Sequence, residues 1–171
     1  KMDGNLQQTT DSLSSDDFLT SFQESGYHRT ANEIADKNAM RELLFGSHVG
    51  YQKKNFQLGA TGVHMHYSLP LEKELKPYNQ FEFSGKSLTN FGVDYSWLYR
   101  NINFCGETGI NTNGKIATVN GLLMSLDSRL VISVVFRNYP RDFKALYSSA
   151  LRESGNNFNE TGIYAAVSFK P

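Results

Sequence analysis

Cysteine is almost missing from this sequence: Cys105 stands alone among 171 residues. With no second thiol, no disulfide can form within the chain, and the redox compartment stays open. Proline is scarce as well, at 4 against 14 glycines. Excess charge of either sign is lacking. The 17 basic and 17 acidic residues cancel, so the chain has no basic footprint of the kind that binds nucleic acid. No apolar run reaches the roughly 18 residues of a candidate transmembrane helix, which excludes helical spans. That absence does not extend to a membrane β-barrel, whose alternating strands keep mean hydropathy low; here it is −0.45.

The usual carriers of chemistry are missing too. No Gly-x-Ser-x-Gly elbow surrounds a serine, Cys105 has no partner motif, and no Gly-rich loop opens a helix to cradle phosphate. His64 and His66 are two apart and would share a strand face as paired metal ligands do, but no nearby Cys, Asp or Glu completes a set. The expectation is a non-enzymatic protein with no catalytic residue, cofactor or metal.

What is present is aromatic and alternating. Aromatic residues make up 13% of the chain, and the stretch Leu88 to Arg100 concentrates them. Phe91, Val93, Tyr95, Trp97 and Tyr99 fall on one parity; Asn90, Gly92, Asp94, Ser96, Leu98 and Arg100 fall on the other. A tilted strand crossing a bilayer needs roughly 9–11 residues with one apolar face and one polar face. On that reading Phe91, Tyr95, Trp97 and Tyr99 meet lipid or form an interfacial girdle. The polar set Asn90, Asp94, Ser96, Arg100, Asn103, Glu107 and Arg137 lines a lumen, where its charges satisfy one another. The alternative is a soluble barrel with the aromatic face packed inward.

The rest of the chain extends this pattern. Residues 1–45 read as a polar arm with short helices, loop-like or plug-like. One helix is expected over Ser15 to Ser25, and another from the capping-box spacing Thr30-Ala31-Asn32-Glu33 to about Leu44. Residues 46–171 read as an antiparallel up-and-down meander of seven strands: His48–Gln52, Phe56–Tyr67, Leu88–Arg100, Phe104–Ile110, Lys115–Met124, Arg129–Arg137 and Thr161–Phe169. Asn113-Gly114 marks one hairpin. The connections alternate between tight ones (Lys53–Asn55, Asn101–Asn103, Ser125–Ser128) and longer ones (Ser68–Lys86, Ile110–Gly114, Asn138–Glu160). Outer-membrane barrels segregate loop lengths in this way, with short turns on one rim. A helical turn is expected over Arg141 to Leu151, followed by an Asn/Gly-rich tail.

Several phrases resemble a known family: Ser25-Gly-Tyr-His-Arg-Thr30, Pro77-Tyr-Asn-Gln-Phe81, Tyr99-Arg-Asn101, Asn120-Gly-Leu-Leu123 with Ser125-Leu-Asp127, and Arg137-Asn-Tyr139 with Ala145-Leu-Tyr147. They are similar to the C-terminal β-barrel region of large Bacteroidota outer-membrane proteins labelled helix-hairpin-helix domain-containing. The helix-hairpin-helix module itself is not in this chain, so its DNA contacts do not transfer. The resemblance implies an all-β chain forming part of an outer-membrane β-barrel of a Gram-negative bacterium, with a structural, transport or assembly role. The lipid bilayer would be its partner, together with other outer-membrane proteins or the remaining strands of the barrel. Seven antiparallel strands do not close an even-numbered barrel, so missing strands are expected before Lys1 or from another chain. The competing expectation is a periplasmic or extracellular barrel or sandwich that binds an apolar or carbohydrate ligand. The start on Lys1 without a leader, and the end just after an apolar strand, suggest a piece of a longer protein or a processed form.

Overall fold

Alternating apolar and polar residues favour extended chain, and the computed structural model is nearly all strand. It describes residues 1–11, 14–23, 26–73, 76–77, 79–151 and 159–170, without the side chains of residues 8–11 and 14–16. In chain order these carry β1 (Asp3–Asp11), β2 (Ser14–Gln23), α1 (Ala31–Ala35), β3 (Glu42–Lys53), β4 (Phe56–Leu71) and β5 (Gly85–Tyr99). Then follow β6 (Ile102–Asn111), β7 (Ile116–Asp127), β8 (Leu130–Tyr139) and β9 (Glu160–Phe169). One sheet holds all nine strands in the order β1-β2-β4-β5-β6-β7-β8-β9, with β3 also paired to β4, and it is not closed. The β5–β9 pairs are antiparallel without exception, and β2 pairs with β4 in parallel at Leu19 and Leu71.

The meander over residues 46–171 is therefore present, and each strand is longer than its alternation announced. The tight connections shrink to two residues each, Lys54–Asn55, Arg100–Asn101 and Ser128–Arg129. Lys54 and Arg100 take φ of 48° and 54°, the left-handed conformation that two-residue hairpins demand. Contacts fix the direction of the first pairs. His48 meets Thr61 and Ser47 lies by Gly62, while Gly59 faces Asp94 and Gly62 faces Phe91. Partner numbers fall as residue numbers rise, so β3–β4 and β4–β5 are antiparallel, and β3 and β9 run the same way.

The first 45 residues differ from expectation. The stretch expected as polar arm and helix forms the β1–β2 hairpin, with a register shift between Asn5 and Leu6. The capping box is real: the Thr30 hydroxyl accepts from Glu33 N–H, and the Glu33 carboxylate accepts from Thr30 N–H. The helix nevertheless ends at Ala35, and Asn38 with φ of 54° turns the chain into β3. Arg141 to Leu151 holds turns and no helix; the Asn/Gly-rich stretch 152–158 and residues 24–25 lie outside the described residues.

By its contacts the chain forms two compact units. The first is Lys1–Phe45 with His64–Leu88, and the second is Gly46–Val63 with Thr89–Pro171. The first is centred on Leu19, Met40, Met65, Tyr67, Leu71, Phe83 and Leu88, all buried. Phe22 and Phe83 tilt against Tyr67 with ring centroids 5.7 and 6.0 Å away. Asp3 fastens the helix segment to β1, accepting from Asn38 N–H at 2.8 Å and meeting His28 Nε2 at 2.7 Å. Those two bonds hold the Asp3 carboxyl below its ordinary pKa. The second unit carries the candidate site.

Candidate functional site

Directly opposed residues of an antiparallel pair project to the same side, so the register divides the second unit into two faces. One face is apolar. Trp97, Phe104, Leu122, Val134 and Ala165 form one row across β5–β9, and Tyr99, Ile102, Met124, Ile132 and Val167 form the next. Its large side chains are open to the surroundings: Phe91 is 60% exposed, Trp97 47%, Ile163 75% and Phe169 65%. Above these rows lies a polar row of Thr108, Thr118, Asn138 and Thr161. Tyr95 lies across Gly106 and donates from its hydroxyl to Asn120 Oδ1 at 2.9 Å; Asn120 Nδ2 in turn donates to Thr118. A Cβ on Gly106 would come within 2.9 Å of both the Tyr95 ring and the Val119 carbonyl, so glycine is what allows that ring to lie flat.

The opposite face gathers the charges. Asp94 stands opposite Glu107, Glu107 opposite Val119, Val119 opposite Arg137, and Arg137 opposite Gly162. Asn90, Ser96, Cys105 and Asn103 share this side, and Ser96 Oγ donates to Asn103 Oδ1 at 3.4 Å. Arg137 is buried and ion-paired with Glu160. The Asp94 carboxylate rests on Gly59, where any Cβ would collide with it, and the Arg137 guanidinium lies 3.5 Å from the place a Cβ would take on Gly162. Glycine at position 59 thus gives the Asp94 carboxylate room to lie along the sheet, while at Gly162 the guanidinium would only touch a Cβ at ordinary contact distance. Asn90 Oδ1 is shielded and accepts no hydrogen bond among the described residues.

The segment after β8 folds back over one end of this polar face. Phe143 packs with Ala117 and Tyr139, its ring 3.3 Å from where a Cβ on Gly109 would stand. Asn111 is the anchor: its Oδ1 accepts from Asn113 and Lys115 N–H to shape the hairpin, and its Nδ2 reaches the Asp142 carbonyl. Lys115 Nζ pairs with Asp142 at 2.8 Å, and that bond holds the Asp142 carboxyl below its ordinary range. The Tyr139 hydroxyl donates to the Leu151 carbonyl.

Of the residues singled out from the sequence, Asn90, Asp94, Ser96, Asn103, Glu107 and Arg137 lie on one side of the sheet, and Phe91, Tyr95, Trp97 and Tyr99 on the other. Arg100 leaves the polar set. It sits in the β5–β6 turn, exposed, with its guanidinium 5.4 Å from the Tyr99 ring centre. Its positive φ ends the alternation one residue before the stretch does. Glu160 and Asn111 were not foreseen. Extending the β9 alternation one step back would have found Glu160; Asn111 carries only a turn signal. His64 and His66 are both exposed and flank the buried Met65, and no group of three metal-binding side chains exists among the described residues. No family model, curated protein or solved structure matches the chain.

Proposed function

We propose that this chain is a non-enzymatic segment of a Gram-negative outer-membrane β-barrel, with a structural, transport or assembly role. The observation that carries the reading is the open apolar face of β5–β9 set against a paired, shielded charge on the other face, where Leu98, Leu123 and Tyr164 are open as well. Trp97, Ile163, Val167 and Phe169 are open to the surroundings, while Arg137 and Glu160 are shielded with their charges paired. In water that arrangement is costly on both sides. In a bilayer the apolar rows meet acyl chains and the charges face a polar interior. The resemblance of the sequence phrases to Bacteroidota barrel regions points the same way, as do the two-residue turns gathered on one rim. Closure then needs further strands beside β3 and β9, from the same barrel or from another outer-membrane protein.

Trp97, the single tryptophan, provides the test. In protein refolded into phosphatidylcholine vesicles, brominated acyl chains should quench its emission, aqueous iodide should not, and extraction should require detergent. A monodisperse, detergent-free monomer whose Trp97 is open to iodide would overturn the reading. It would favour the alternative of a soluble barrel or sandwich binding an apolar or carbohydrate ligand. One feature speaks for that alternative: an open cleft of about 630 Å³ in the first unit, lined by Gln7, Phe18, Thr20, Lys73 and Asn79 among others.

A further inference from the structure

The three tight turns lie on one rim of the second unit, tied together by backbone hydrogen bonds. Leu98 N–H donates to Asn55, Ser125 N–H to Asn101, and Lys170 N–H to Arg129. This rim collects cations. Lys53 ends β3 and Lys54 opens the β3–β4 turn, Arg100 occupies the β5–β6 turn, Arg129 the β7–β8 turn, and Lys170 follows β9. All five are exposed, and none has a carboxylate within ion-pair distance among the described residues. Asp127, the acidic residue of this rim, is engaged by Ser128 through its N–H and hydroxyl. Elsewhere in the unit cations are occupied: Lys115 by Asp142, Arg137 by Glu160, and Lys144 by the Arg141 carbonyl. Immediately inside the basic rim lie exposed aromatics, Tyr51, Phe56, Trp97, Tyr99, Phe104 and Phe169.

We propose that this rim binds the phosphate groups of anionic phospholipids, resting on the membrane reading above. Aromatic rings seat at the boundary between acyl chains and headgroups, and a cation one turn further out then stands at phosphate depth. Each Lys or Arg near an anionic surface adds attraction, so five cations without a carboxylate partner together give a lipid preference. Charge complementarity selects the occupant: the overall charge of the chain is zero, yet on this rim five exposed cations stand beside the single carboxylate of Asp127.

The test compares the refolded protein with a neutral variant in flotation on vesicles. That variant carries K53Q, K54N, R100N, R129Q and K170Q, with Asn where φ is positive. The vesicles are phosphatidylcholine alone, or phosphatidylcholine with about one part in three phosphatidylglycerol. The wild type should favour the anionic vesicles on the order of tenfold and lose that preference in about 0.5 M salt. The neutral variant should enter both equally, and R100K with R129K should keep the preference. Insertion of the wild type without lipid preference, or a preference retained by the neutral variant, overturns this proposal alone. Stronger binding to polyglutamate than to the anionic vesicles also overturns it, in favour of an acidic protein partner. Failure to enter any vesicle overturns the membrane reading, and this proposal with it.

Discussion

Arg137 on β8 and Glu160 at the start of β9 form an ion pair whose side chains are 8% and 14% exposed. Removing one partner of a shielded ion pair costs more than replacing the pair as a whole. Glu160→Ala should therefore cost about 3–5 kcal/mol, and adding Arg137→Met should recover a substantial part of it. Urea unfolding midpoints of the single and double variants check this. Strictly additive losses would count against it.

Gly106 should be as intolerant as any core position. Its Cβ would have to displace the Tyr95 ring and the Val119 carbonyl, and the latter is backbone that cannot swing aside. Gly106→Ala is expected to destabilise by about 1–3 kcal/mol, the usual cost of overpacking. Gly114→Ala would test φ strain instead, since nothing lies near its Cβ although its φ is 71°.

Two adjacent alanines on β9 should respond unequally to the same change. Ala165 shares the row of Trp97 and Val134, while Ala166 lies beside Ser133, whose hydroxyl donates to its carbonyl. Ala165→Arg should cost about 2–4 kcal/mol in a bilayer, as for a cation on a lipid-facing midplane position. Ala166→Arg should cost much less. Equal effects on folding yield in vesicles would contradict the assignment of the faces.

Acid should release the segment after β8. Because Lys115 lowers the Asp142 pKa, folding gains stability from this group above its ordinary value of 3.8 and loses it as pH falls through the lower folded value. Hydrogen exchange at Phe143 and Lys144 should rise over that acid window in the wild type. In Asp142→Asn it should already be raised at neutral pH and change little on acidification.

Cys105 is a natural reporter of the polar face. It is the single cysteine, exposed, and directly opposite Gly121, so its sulfur has space above the neighbouring strand. A water-soluble maleimide should label it in membrane-inserted protein, while a probe confined to the acyl region should not.

The sequence disclosed the meander chiefly through β5, whose alternation is regular; in β8 Leu130, Ile132, Val134 and Phe136 oppose Val131, Ser133, Val135 and Arg137, a weaker contrast. It concealed the β1–β2 hairpin because residues such as Gln, Thr and Asp over Asp3–Asp11 carry no periodicity. What anchors that hairpin is remote, with Leu19 fully buried among Met65, Tyr67 and Leu88. The capping box at Thr30 announced a helix running to about Leu44, yet it ends at Ala35 and the left-handed Asn38 turns the chain away. The polar face was legible from parity alone. The fold-back of Phe143 onto Gly109 was not, since it depends on contacts between residues far apart in sequence.

The shared direction of β3 and β9 has an arithmetical corollary. If those two strands met, they would create a parallel seam in an otherwise antiparallel ring. Any ring that keeps every neighbour antiparallel must insert an odd number of strands between them, so a lone added strand or a set of three restores alternation where a single hairpin would not.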